Sequence, residues 1–201
     1  MLKIVIASHN RGKLKEIKFK LKEFPVILES LDDYPEIPEI AETGNTFADN
    51  AKIKAVTVAK WTNLPAIADD SGLEIDYLGK SPGVYSSRWG KTDRQRIRKV
   101  LNALENTNKE QRKARFVCVM SMVIPEKTDE KIFLTKGICQ GWITNVPQGT
   151  EGFGYDPIFI PDGYSKTFAQ LGKNVKNNIS HRAIALDRMI QIIIENFNFN
   201  E

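Results

Sequence analysis

Whole classes of protein are excluded by what this chain has little of. Its two cysteines, Cys118 and Cys139, form no CxxC pair and are too few for a disulfide framework. Both lie in strand-like runs, "RFVCVMSMVI" and "FLTKGICQG", where a buried free thiol is the simplest reading. Two histidines, His9 and His181, exclude a multi-histidine zinc site, and there is no HExxH. No apolar run approaches the roughly 18 to 20 residues that span a bilayer, and the opening "MLKIVIASHN" is too short for a secretory leader. A cytoplasmic protein without a membrane partner is therefore expected. Low-complexity tracts and repeats of solenoid or propeller period are absent as well.

Charge of neither sign dominates. The net charge is +4, and Lys and Arg are spread along the chain instead of forming a basic tail. That balance does not demand nucleic acid, and a small polyanion held by a few converging lysines suits it equally. A hydrophobic fraction of 41% over 201 residues suits a single domain with a buried core.

Strands and helices alternate along the first half. "LKIVIA" reads as a buried strand, and "RGKLKEIKFKLKEF" sets Leu14, Ile17, Leu21 and Phe24 at helical spacing. "TFADNAKIKAVTVAKW" begins with Thr46 and Asp49 placed as in a capping box, with Phe47, Ala51, Ala55 and Val58 as its apolar stripe. "LPAIA" and "LEIDYL" read as two short strands on either side of the acidic pair Asp69 and Asp70. "TDRQRIRKVLNALEN" is a capped helix with Ile97, Val100, Leu101 and Leu104 inward. Residues 114–124 and 131–141 predict an antiparallel hairpin, and "YDPIFIP" a further short strand. "SHRAIALDRMIQIIIENF" predicts a largely buried helix opening at Ser180. The class is α/β with a mixed sheet.

Five stretches hold residues able to do chemistry. "SHNRGK", residues 8–13, is a polar turn at a helix N-terminus, where free N–H groups and Lys13 suit an anion; a helix cap with a solvated lysine fits it as well. "AETGNTFADNAKIKA" sets Glu42 before a turn and Asn50 and Lys54 one helical turn apart, able to point at one object or simply to lie on a capped surface helix. In "IADDSG" the adjacent carboxylates face opposite sides of an extended backbone, so only one faces a given site. With Glu42 that one could offer oxygen ligands to Mg²⁺, although an Asx-turn at a strand end also fits. "EGFGYDP" places Phe153 on a glycine turn, as a stacking platform for a base or as part of the core. "KNVKNNISHR" gathers Lys173, Lys176, His181 and Arg182 near a helix start, as donors to phosphates or a base edge, or as surface charge.

Phosphate binders, oxygen ligands, an aromatic platform and hydrogen-bond donors together make the inventory of a nucleoside triphosphate site. In their order, "ASHNRGKLKEI", "ETGNTFADNAKIKA", "ADDSGLEIDYLGKSPGVYSSRW", "GFGYDPIF" and "ISHRAIAL" resemble the Ham1-like (inosine triphosphate pyrophosphatase) family, which acts on noncanonical purine nucleoside triphosphates. The resemblance runs almost end to end. It implies an elongated α/β fold, a mixed sheet flanked by helices, with two lobes, an active-site cleft between them, and usually a homodimer. It also implies hydrolysis of ITP, dITP and XTP to the monophosphate and pyrophosphate, which keeps these nucleotides out of DNA and RNA.

Carried over residue by residue, Ser8, His9, Asn10, Arg11, Gly12 and Lys13 bind the triphosphate, with Lys54 adding positive charge. Glu42 and Asp70 hold Mg²⁺, and Asp70 is the proton acceptor. Ser71 contacts substrate, Phe153, Gly154, Tyr155 and Asp156 line the base pocket, and Lys176, His181 and Arg182 read the base or nearby groups. At 174 and 175, Asn and Val stand where the resemblance leads one to expect Glu. The rivals are a Maf-like pyrophosphatase for modified pyrimidine nucleotides and a non-enzymatic nucleotide-binding module. Carboxylates at both 42 and 70 argue against the latter, since an anion site gains nothing from them without a metal.

Overall fold

Strand β1 (Leu2–Ile6) carries the buried run Ile4, Val5 and Ile6 and pairs in parallel with strands on both of its edges, β2 (Val26–Ser30) and β3 (Ala66–Ile75). A strand flanked in parallel on both edges is apolar on both faces, hence the unbroken run. The computed structural model describes residues 1–127 and 129–197. Helix α1 (Arg11–Leu21) makes the crossover from β1 to β2, and α2 (Phe47–Thr62) precedes β3. Strands β4 (Lys113–Pro125), β5 (Glu130–Ile143) and β6 (Phe159–Pro161) complete a six-stranded sheet of order β2-β1-β3-β4-β5-β6, with β5 and β6 antiparallel. The sheet is mixed and the class α/β, as expected. Helix α3 (Asp93–Ala103) lies between β3 and β4 in the chain, and α4 (Phe168–Ile179) and α5 (His181–Asn196) close it.

The expected helices form where their stripes and caps fall. Leu14, Ile17 and Leu21 are buried on α1, and Phe47, Ala51, Ala55 and Val58 on α2, whose cap Thr46 accepts from the Asp49 N–H. Ile97, Val100 and Leu104 are buried at α3, with Leu101 only partly so. Both cysteines are free and buried. Strands β4 and β5 are hydrogen-bonded neighbours, and the Glu126 N–H donates to the Asp129 carbonyl in the turn joining them.

Three expectations change. The two short strands around Asp69 and Asp70 are one continuous ten-residue strand, β3, so the acids stand in its middle and not at its end. Ser71 and Gly72 read as a turn by composition, yet they continue the ladder because apolar residues on both sides, Ile67 and Leu73, are fully buried. "YDPIFIP" contributes only Phe159–Pro161 to a strand, since Asp156–Ile158 is a single 3₁₀ turn. Before the last helix stands α4, whose N-terminus is marked by Thr167 and Gln170: the Gln170 side chain accepts from the Thr167 N–H at 2.9 Å.

The chain divides into two compact units. Unit 1 comprises residues 1–70, 118–137 and 183 onward; it holds two apolar clusters, one with α1 and α5 residues (Leu14, Ile17, Leu186, Met189, Ile193) and one with α2 (Ala55, Val58, Ala59). Unit 2 comprises residues 71–117 and 138–182, with Leu73, Val100, Phe116, Phe159 and Phe168 in its core. Among the described residues no helix is long and apolar enough to cross a membrane.

Candidate active site

In unit 1 the residues of interest surround the middle of β3. Alternation along the strand turns Asp69 and Asp70 to opposite faces, and both are buried. The Asp69 carboxylate pairs with Lys13 Nζ at 3.0 Å, and its Oδ2 also lies 3.9 Å from Cys118 Sγ. Its main-chain carbonyl accepts from Lys54 Nζ at 2.8 Å. Lys54 reaches Glu42 Oε1 at 2.6 Å with the same amine. On the other face, Asp70 Oδ2 accepts from the Asn50 amide at 3.0 Å, while Asn50 Oδ1 accepts from the Gly44 N–H at 2.8 Å. Asn50 is fully buried and ties the turn after Glu42 to Asp70. Burial is the main force on the Asp70 carboxyl and raises its pKa above the ordinary value; Glu42 raises it further, against the lowering effects of Lys54, Asn50 and Lys13. A buried carboxyl whose pKa is raised is one kind of group suited to proton transfer.

The turn at residues 8–13 is built around Asn10. Its side chain caps α1, accepting from the N–H groups of Gly12 at 2.9 Å and Lys13 at 3.1 Å, and Ser8 Oγ accepts from the Asn10 N–H at 3.1 Å. His9 and Arg11 are exposed, and His9 Nδ1 lies 2.8 Å from Asp32 Oδ1. The cap thus occupies two of the helix's terminal donors, and Lys13 is turned toward Asp69 and not into solvent.

In unit 2 a second group forms around Phe153. Its ring is half-buried, with Lys176 Nζ 4.2 Å and the Arg182 guanidinium 5.8 Å from the ring centroid. Lys176 is buried and paired at 2.6 Å with Asp156, whose Oδ2 also accepts from the Phe153 N–H at 2.9 Å. Gly152 takes φ +81°, and a Cβ there would stand 2.1 Å from Asp156 Oδ2, so any other residue would be strained and would have to displace that carboxylate. Arg182 donates to Ser71 Oγ at 3.0 Å. Tyr155 is buried, donates to the Ser86 carbonyl at 2.8 Å, and has its pKa raised by burial. His181 stacks on Phe116 with centroids 4.7 Å apart and planes 12° apart.

The residues singled out in the sequence divide between the two units. Ser8 to Lys13, Glu42, Lys54 and Asp70 lie in unit 1, and Ser71, Phe153 to Asp156, Lys176, His181 and Arg182 in unit 2. Phe153 is neither tucked into the core nor fully exposed. Lys173 is exposed, with Glu151 at 3.9 Å. Asn174 is exposed as well, and Lys176 finds its counter-charge in Asp156, so the unusual pair at 174 and 175 does not supply it. Sequence reasoning missed Asp93, which accepts from the Gly154 N–H at 2.8 Å. Its signal was only that of an acid in the first turn of a helix.

The Ham1 family matches residues 4–192 of the chain. A dITP/XTP pyrophosphatase of Bacillus licheniformis is 44% identical over 196 residues, 96% of this chain and 98% of that one. One of Bacillus subtilis is 45% identical over the same shares of both chains. Among solved structures, a HAM1 protein from Coxiella burnetii has a TM-score of 0.88 at 43% identity, covering 97% of this chain and all of that one.

Proposed function

The chain belongs to the Ham1 family, and on that footing we propose that it hydrolyses noncanonical purine nucleoside triphosphates, ITP, dITP and XTP, to the monophosphate and pyrophosphate. The relatives' activity is carried to this chain by one observation above all: two lysines and two carboxylates, Lys13, Lys54, Glu42 and Asp70, are gathered at the middle of β3. In this reading Lys13 and Lys54 neutralise the triphosphate, and Asn10 holds the turn from which the first of them projects. Asp70 accepts the proton of the water attacking the α-phosphorus and is oriented by Asn50. Phe153 stacks on the purine, and Lys176 and Arg182 offer donors that suit a 6-keto oxygen. A 6-amino group would leave those donors unpaired, which is a strong basis for rejecting adenine.

The donor chemistry fits Mg²⁺. Glu42 and Asp70 are hard oxygen donors whose mutual repulsion a cation relieves. No cluster of three or more His, Cys, Asp or Glu able to hold a metal occurs among the described residues, so the two carboxylates would need water and substrate phosphate to complete an ion's shell. Glu42 and Asp70 would hold it, and when bound it supplies neutralising charge for phosphate oxygens. A cytoplasmic homodimer is the reading that the family likeness supports.

Turnover of ITP, dITP and XTP should exceed that of GTP and ATP, measured by pyrophosphate release. A preference for ATP or for pyrimidine triphosphates would overturn the assignment. Asp70→Asn should lose turnover by about 10²-fold or more, the range of a lost general base, while still binding ITP. Near-wild-type turnover would remove Asp70 from its role.

A further inference from the structure

The turn that carries Phe153 is held by more than its own residues. Within it, Asp156 accepts from the Phe153 N–H. The next amide, that of Gly154, donates at 2.8 Å to Asp93 Oδ2, a residue 61 positions away at the start of α3. The other carboxylate oxygen, Asp93 Oδ1, is engaged by the Arg96 guanidinium, and Arg96 Nε donates at 3.0 Å to the Gly90 carbonyl. Thr92 caps the same helix, accepting from the Gln95 N–H, so α3 has its N-cap without help from Asp93. The carboxylate is thereby left to face the turn with both oxygens fixed. Gly154 itself takes φ +62°, a conformation with no preference strong enough to hold a glycine in place unaided. A charge-assisted bond from a carboxylate to a backbone N–H is about twice as strong as a neutral one.

We propose that Asp93 is a positioning residue for base recognition: it fixes the Gly154 amide, and through it the Phe153 ring beneath Lys176 and Arg182, with Arg96 orienting the carboxylate. The inference rests on the reading of Phe153 as the base platform. It adds a residue that touches no part of the substrate and acts on the base only, leaving phosphate binding alone. A ring displaced by about 1 Å is enough to impair a stacking site, because such sites depend on tightly held geometry.

The test separates the base from the phosphates. Calorimetric titration with inosine monophosphate, which carries the base, and with pyrophosphate, which does not, is applied to the wild type, Asp93→Ala, Asp93→Asn and Phe153→Ala. Asp93→Ala should weaken inosine monophosphate binding at least tenfold and leave pyrophosphate within twofold. Asp93→Asn keeps an oxygen acceptor for Gly154 and should restore most of the loss. Hydrogen exchange of the Gly154 amide should accelerate in Asp93→Ala and not in Asp93→Asn. A merely structural Asp93 would lower the melting temperature and leave the ratio of the two affinities unchanged, which overturns the proposal, as does unaltered exchange at Gly154. If Phe153→Ala itself leaves inosine monophosphate affinity intact, the base-platform reading fails and the proposal falls with it. If Phe153→Ala loses that affinity and Asp93→Ala keeps it, the proposal alone fails.

Discussion

Asp69 works through both side chain and backbone: the carboxylate holds Lys13 at 3.0 Å, and the carbonyl holds Lys54 at 2.8 Å with Lys13 Nζ farther off at 3.5 Å. A substitution can remove the first contact and leave the second. Asp69→Asn should therefore lower kcat/KM chiefly through Lys13. In double-mutant cycles its effect should be strongly non-additive with Lys13→Met and additive, within about 0.5 kcal/mol, with Lys54→Met. Additivity with both would show that Asp69 does not act through Lys13. The alternation of a strand made it legible that the two acids differ, but not which lysine each would meet, since Lys13 is 56 positions away and only the packed structure brings it to Asp69. Asn50 and Lys54 were closer to legible: their spacing on one helix face is local, and both do reach β3.

At the scale of the element, helices with periodic stripes and side-chain caps were readable because their determinants lie within one segment. Helix α4 was not read from the sequence at all, although Thr167 and Gln170 signal its start. Its path breaks at Gly172, where φ is 77° and ψ 176°, so the apolar spacing loses phase there. The continuity of β3 through Asp69–Gly72 was hidden for a different reason: charged and small residues lower strand propensity, and tertiary burial overrides that preference. The end of β2 offers a pH test. Asp33 Oδ2 accepts from the Ser30 N–H at 2.7 Å and the Ser30 hydroxyl at 3.1 Å, and these bonds, the backbone one foremost, hold its pKa below the ordinary 3.8. A lowered folded pKa means stability that is present above the unfolded value and lost as pH falls through the folded one. Asp33→Asn should thus lower the urea midpoint at pH 7, and the difference from the wild type should shrink below pH 3.8. An equal difference at both pH values would mean that the charge is not what stabilises the turn.

Over the whole molecule, the α/β class was legible and the strand order was not, because order depends on which edges meet and local pattern does not encode it. The division into two units has a practical consequence. The chain passes from one to the other at 70/71, 117/118, 137/138 and 182/183, so neither unit is a single stretch. A fragment of residues 71–182 contains all of unit 2 but carries residues 118–137 away from their core, including the fully buried Cys118, Met120 and Met122. Such a fragment should aggregate or lack dispersed amide signals in NMR spectra, whereas a well-dispersed monomeric spectrum would show that unit 2 folds without the rest.

Strand β3 is aligned to β1 by the pairs Val5 with Ala66 and Ile6 with Ile67, only two residues before the acids. A single residue inserted or deleted between that alignment and Asp69 would exchange the carboxylates between faces while leaving both of them in the chain. The chemistry is thus written in the parity of a count along one strand: swapping one apolar residue for another ahead of Asp69 leaves the parity intact, and changing their number by one inverts it.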